Sequence, residues 1–143
     1  MILIDANLLI YAFDIASPHH AATRPWLDER LSGTSAVGLP WESLMAFLRI
    51  VTNPRFYSSA VSTVRAWQAV REWLASDATW IPLPTERHAA ILDQLLAEGG
   101  VRANVVPDAH LAALAISHGL TLCSADAGFA RFPGLRWSNP LAV

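Results

Sequence analysis

The sequence predicts an α/β fold, a three-layer α/β/α sandwich built on a mostly parallel sheet of four to five strands. Three observations carry this. Short, wholly apolar runs such as Met1-Ile2-Leu3-Ile4 have the composition of strands buried on both faces, without the alternation of a half-exposed sheet. Between such runs lie stretches with the three-to-four-residue apolar spacing of helices, bounded by capping residues and by glycine or proline stops. Strand and helix then alternate along the chain, which implies right-handed crossovers and helices on both faces of one sheet.

Residues 1–6 read as the first strand and roughly residues 7–13 as the first helix. A second helix is opened by Ser17-Pro18, with serine as N-cap and proline at the first helical position, and is stopped by Gly33. Residues 35–39 form a second strand. Pro40 starts a helix whose apolar positions Leu44, Phe47, Leu48 and Val51 keep helical spacing, and Asn53-Pro54 ends it. Residues 62–75 are an amphipathic helix with Val64, Trp67, Val70, Trp73 and Leu74 on one side. Residues 79–83 are a third strand, followed by a helix over 85–98 with Thr85 as cap and Gly99-Gly100 as stop. A helix over 107–118, closed by Gly119, leads into a fourth strand at 120–124, and residues 135–137 are placed as a fifth at the edge.

At 143 residues, without repeats, linkers or low-complexity tracts, the chain is expected to form one domain over 1–143. It is 53% hydrophobic and 15% charged, a globular composition. No apolar run approaches the ~18 residues of a membrane span, and no basic-then-apolar leader is seen. The lone cysteine, Cys123, falls in an expected buried strand, which argues against a disulfide framework and for a reducing, cytoplasmic setting. The net charge of −2 excludes a global basic signature for nucleic acid. All ten basic residues are arginine, so guanidinium groups are the only cationic phosphate contacts besides histidine. A mean hydropathy of +0.33 suggests apolar surface covered by a partner.

The chemistry is carried by four acids at junctions of strand or loop with helix: Asp5, Glu42, Asp108 and Asp126. In an open parallel sheet the carboxyl ends of strands and the starts of the following helices share one edge, where ligands bind. Acids from four distant places are therefore expected in one crevice. Singly, Glu42, Asp108 and Asp126 each fit a place in the first turn of a helix, where the dipole favours a carboxylate. Asp5 does not, because an acid behind a buried apolar strand is costly to desolvate unless paired or metal-bound, and the first arginine is Arg24. Together, with no lysine or histidine evident at that edge, the four point to a site for a hard cation.

The chain resembles the PIN-domain ribonucleases, specifically the VapC-type toxins of bacterial toxin–antitoxin pairs. The resemblance rests on Ile4-Asp5-Ala6-Asn7-Leu8-Leu9 and on Pro40-Trp41-Glu42 with the run Phe47 to Arg55. It continues in Pro107-Asp108-Ala109-His110-Leu111-Ala112-Ala113-Leu114-Ala115 and in Ser124-Ala125-Asp126 through Leu135. It implies a PIN-like sandwich in which Asp5, Asp108 and Asp126 bind Mg²⁺, or Mn²⁺ in its place. Glu42 joins them in hydrolysing RNA to 5′-phosphate and 3′-hydroxyl ends. It also implies a cognate antitoxin as partner and a homodimer. Related sequences often carry a further acid two places beyond Asp126, where this chain has Gly128. Four acids favour one resident cation, with any second arriving with substrate.

Asn7 and Ser124 are placed to orient carboxylates or waters by hydrogen bonds, although local turn bonding explains them equally well. Arg49 and Arg55 are candidates for holding phosphate, and Trp41 for stacking on a base. His19-His20 lacks a partner at ligand spacing, and His110, two residues past Asp108 on a helix, is read as pointing away from that acid. The helices around 40–52 and 62–75 hold more apolar residues than one sheet face needs, which predicts an uncovered groove suited to a partner's helix. Two other functions compete. An aspartyl-phosphate phosphatase needs a second aspartate two places after Asp5 and a lysine, and here Asn7 stands there and lysine is absent. A catalytically weak PIN-like binding module regulated by a protein partner is the remaining alternative.

Overall fold

In the computed structural model, which describes residues 1–98 and 100–142, five short parallel strands form one sheet among the described residues. They are β1 (Ile2–Ile4), β2 (Val37–Gly38), β3 (Thr79–Trp80), β4 (Thr121–Cys123) and β5 (Trp137–Ser138), ordered β3-β2-β1-β4-β5. The strand nearest the N-terminus is the central one, with Ile2 in register with Val37 on one side and Thr121 on the other. Side-chain alternation divides β1 and β4 between two cores. Leu3 and Leu122 face one core with Leu95, Leu114 and Phe129. Ile4 and Cys123 face the other with Leu8, Phe47 and Val70.

Six α-helices cover the two faces among the described residues. On the Ile4 face lie α1 (Ala6–Phe13), α2 (His20–Leu31), α3 (Trp41–Val51) and α4 (Thr63–Leu74). On the Leu3 face lie α5 (His88–Glu98) and α6 (Val106–His118). The alanines Ala109, Ala112, Ala113 and Ala115 of α6 are fully buried, and their small size lets the helix lie close to the sheet. Gly119 closes α6 in the left-handed conformation, φ 67°, and donates to the orphan carbonyls of Ala115 and Ile116. No helix among the described residues is long and apolar enough to cross a membrane.

Several expected boundaries move. The strands are shorter than the apolar runs, because the chain turns away as soon as the next helix is capped. Asp5 still donates its N–H to the Cys123 carbonyl at 3.0 Å, while its side chain already caps α1. Ser17-Pro18 forms a turn, not a helix start. The Ser17 hydroxyl accepts from the His19 N–H and the Ser17 carbonyl from the His20 N–H, so α2 begins at His20 and carries Pro25 within it. Likewise the Thr85 hydroxyl accepts from Arg87 N–H in a turn, and α5 begins at His88. Of the expected stop Gly99-Gly100, Gly99 lies outside the described residues and Gly100 has φ 61°. Two 3-10 turns, Ala103–Val105 and Ala127–Arg131, have no counterpart in the sequence reading. The fifth strand is at the edge as expected, but spans Trp137–Ser138 and shares only Trp137 with the expected range.

The face of α4 also differs. Ser62 caps it, its hydroxyl accepting the Arg65 N–H, but the residues it buries are Ala66 and Val70, while Val64 is 68% exposed and Trp67 38% exposed. These two line an open apolar groove of about 570 Å³ with Met45, Leu48, Arg49 and Thr52 of α3 and its cap. The uncovered groove expected between these helices is present.

Candidate active site

The carboxyl ends of β1 and β4 lie side by side, and hydrogen bonds stitch the segments that leave them. Asp5 follows β1 and accepts the Ala6 N–H on Oδ1 at 2.8 Å, the N-cap bond of α1. Its Oδ2 accepts the hydroxyl of Ser124, the residue after β4, at 2.7 Å, and the Asn7 amide at 3.3 Å. Asn7 Nδ2 also donates to Ser124 Oγ at 3.0 Å, and Asn7 Oδ1 accepts the Ala125 N–H. Ser124 is fully buried, its Oγ accepts the Asp126 N–H, and its carbonyl accepts the indole N–H of Trp137 at 3.0 Å. Asn7 and Ser124 thus both touch the Asp5 carboxylate, and they fix where it points.

Asp108 enters from the first turn of α6 beside Asp5 and Glu42. Burial pushes its carboxyl up to about 6, reinforced by the charges of Asp5 and Asp126 and opposed by Arg131. Burial likewise raises Asp5, with Asp126 adding to the rise, while the Ser124 and Ala6 hydrogen bonds counter it. Asp126 is exposed and caps the 3-10 turn after β4, its Oδ1 accepting the Gly128 N–H at 2.8 Å. A Cβ at position 128 would stand 3.0 Å from that oxygen, so glycine leaves the Asp126 carboxylate its place.

Glu42 sits in the first turn of α3, and with Asp5, Asp108, Arg49, Pro107 and Leu111 it lines a cleft of about 220 Å³. Of the other residues singled out from sequence, Arg49 reaches the rim of both this cleft and the apolar groove. Arg55 does not join them. It lies past the C-terminal end of α3, about 15 Å along the helix from Glu42, and is exposed in a turn around Asn53. Trp41 is partly exposed, and its ring lies nearly parallel to that of Trp67, with centroids 6.5 Å apart. His19 and His20 pack on Tyr11, away from the acids.

Histidine does share the acidic edge, contrary to the sequence reading. His110 faces Glu42, with Nε2 3.5 Å from Oε2. Its Nδ1 lies 3.0 Å from Nε2 of the buried His88. No spacing signal could have joined residues 42, 88 and 110, which belong to three helices.

Among the described residues, no three Asp, Glu, His or Cys side chains are gathered tightly enough to cage an ion as they stand. The donor set nevertheless fits a hard divalent cation. It is all oxygen, and Asp5, Asp108 and Asp126 already feel one another's charge. Magnesium needs only one or two direct carboxylates and keeps several waters, which spread-out acids can hold.

A family model described as PIN domain matches residues 2–135. Ribonuclease VapC37 of Mycobacterium tuberculosis is 42% identical over 143 residues, covering 100% of this chain and 99% of that protein. Ribonuclease VapC43 of the same species is 40% identical over 141 residues, covering 99% and 96%. Among solved structures, VapBC2 from Rickettsia felis bound to a promoter DNA fragment superposes with a TM-score of 0.71 at 19% identity, covering 97% of this chain and 98% of that one. FitAcB from Neisseria gonorrhoeae superposes with a TM-score of 0.66 at 20% identity, each chain fully covered.

Proposed function

This chain belongs to the PIN-domain family, and from that premise we propose that it is a metal-dependent endoribonuclease, the toxin of a cytoplasmic type II toxin–antitoxin pair. The observation that carries the proposal is the convergence of Asp5, Asp108 and Glu42 on one cleft, with Asp126 tied to Asp5 through Ser124. Asp5, Asp108 and Asp126 would hold Mg²⁺, or Mn²⁺ in its place. When bound, such an ion supplies an activated water and offsets charge on the phosphoryl oxygens. Ser124 and Asn7 aim the Asp5 carboxylate, Glu42 accepts a proton from or orients the attacking water, and Arg49 at the rim is placed to meet a phosphate. Position 128 adds no carboxylate, which favours a single resident cation.

The apolar groove between α3 and α4 is proposed as the seat of an amphipathic antitoxin helix, and the chain is proposed to form a homodimer through other helices. The groove meets the cleft at Arg49, so a helix lying in it can reach the acids. An arginine from that partner would fork onto the carboxylates and exclude the cation. A second reading, a catalytically weak binding module, is favoured by one observation: among the described residues no three metal-ligating side chains are gathered tightly enough to cage an ion.

Mapping new 5′ ends in cellular RNA after induced expression separates the two. The wild type should produce discrete new ends and Asp5→Asn should not. Identical end profiles from both would leave the binding-module reading standing.

A further inference from the structure

Glu42 begins α3, on one face of the sheet, and His110 and His88 belong to α6 and α5, on the other. Their side chains meet over the carboxyl edge of the sheet. Glu42 Oε2 lies 3.5 Å from His110 Nε2, and His110 Nδ1 lies 3.0 Å from His88 Nε2. The two imidazoles stand edge to face, with centroids 4.9 Å apart at 74°. His88 is buried, and its far nitrogen, Nδ1, has no hydrogen-bond partner.

We infer that His110, locked by His88, is a positioning residue that holds the Glu42 carboxylate at the mouth of the acidic cleft. This rests on the reading of Glu42 as part of the catalytic set. The hydrogen-bonding valence of the rings leads to it. A neutral imidazole has one donor and one acceptor nitrogen. If His110 Nε2–H faces the Glu42 carboxylate, its Nδ1 must accept, and His88 Nε2 must therefore donate. That leaves His88 Nδ1 bare, and a bare lone pair is a cheaper buried orphan than an unpaired N–H. The unpartnered Nδ1 of His88 is the atom this assignment requires to carry no proton. Burial lowers the pKa of His88, which favours the neutral ring that such a chain needs.

Among the described residues no hydrogen bond holds the Glu42 side chain, and its one charged-group contact is His110. Its side chain is 43% exposed, and among the described residues no arginine lies within 4.0 Å of its carboxylate. Arg49 lines the same cleft without reaching it. A glutamate with three rotatable bonds sweeps a wide arc, whereas a carboxylate must be aimed to handle a water's proton. An imidazole fixed by a buried second ring narrows that arc. The 3.5 Å separation is long for a hydrogen bond and suits an electrostatic steer that tightens when substrate arrives.

Two measurements test this. The first is long-range ¹⁵N–¹H correlation on the metal-free protein near pH 8, above the ordinary histidine range of about 6.5. Both His88 and His110 should be Nε2–H tautomers, and Glu42→Gln should shift the His110 Nε2 resonance. An Nδ1–H tautomer at His88, or a His110 signal indifferent to Glu42→Gln, overturns the assignment whatever the activity is. The second is a double-mutant cycle on cleavage of a fluorescent single-stranded RNA oligonucleotide. His110→Ala should lower kcat on the order of tenfold, the usual scale for losing a supporting hydrogen bond, with KM and melting temperature little changed. His110→Gln, whose amide reaches where Nε2 stood, should restore most of the loss. In a Glu42→Gln background His110→Ala should add nothing. An additive loss, or an unchanged kcat in His110→Ala, overturns the positioning role alone. An unchanged rate in Glu42→Gln removes Glu42 from the proposed site, and the inference falls with it.

Discussion

The Asp108 carboxyl stands near 6 in the folded chain, against 3.8 for an ordinary aspartate, because it is partly buried beside Asp5 and Asp126. Between those two values the folded form holds a proton that the unfolded chain has already released, so protonation favours folding there. Stability of the metal-free protein should therefore fall as pH rises from about 4 to about 6 and then level off. Asp5, raised in the same direction, adds to the slope. Thermal melts in chelator across that range should show a lower melting temperature at the neutral end, with a shallower slope in Asp108→Asn. A flat profile in the wild type would mean the acids do not strain the empty site. Adding Mg²⁺ or Mn²⁺ at neutral pH should raise the melting temperature by mass action, and the gain should vanish in Asp5→Asn/Asp108→Asn. The same two substitutions made singly should each remove most RNA cleavage while the far-UV circular dichroism is retained.

At the scale of elements, α1, α3 and α4 are joined through one aromatic side chain. Phe47 is fully buried, with its ring edge-on to Phe13 at 5.2 Å and to Trp73 at 4.8 Å. Phe47→Ala should cost about 3–5 kcal/mol in urea unfolding, the range for emptying a core aromatic site. A loss below about 1 kcal/mol would show that the three helices repack without it. Which elements exist was legible in the chain because their signals are local: Pro40 as a helix start, Gly119 as a stop, wholly apolar strands. Where they begin was less so. Ser17-Pro18 and Thr85 make turn bonds that are locally equivalent to capping bonds, and only the packing of the next few residues selects between them. The outward face of α4 was misread because Val64 and Trp67 are as apolar as Val70, and apolarity alone does not say which neighbour is absent. The acids were legible because each lies where a strand or loop gives way to a helical turn. The His88–His110 pair was not, since it arises only where α5 packs on α6.

At the scale of the molecule, the chain carries a net charge of −2 and keeps an apolar groove open beside an acidic cleft. A surface of that kind is poorly suited to attracting RNA at long range and well suited to being covered. Val64→Asp and Trp67→Asp, both on the groove wall, should abolish co-purification with the product of the adjacent reading frame while changing stability by no more than about 0.5–1 kcal/mol. Undiminished capture by both variants would place the partner elsewhere. The position of β1 at the centre of the sheet has a further consequence in time. Asp5 is held by Ser124, 119 residues later in the chain. At the pace of synthesis, about 5–20 residues per second, roughly 6–24 s separate the making of the two. Throughout that interval Asp5 has only its local partners Ala6 and Asn7, and both the Ser124 hydroxyl and the strand that brings Asp126 are still to be made. With the acids in the role proposed for them, the carboxylate site is completed only near the end of the chain's own translation.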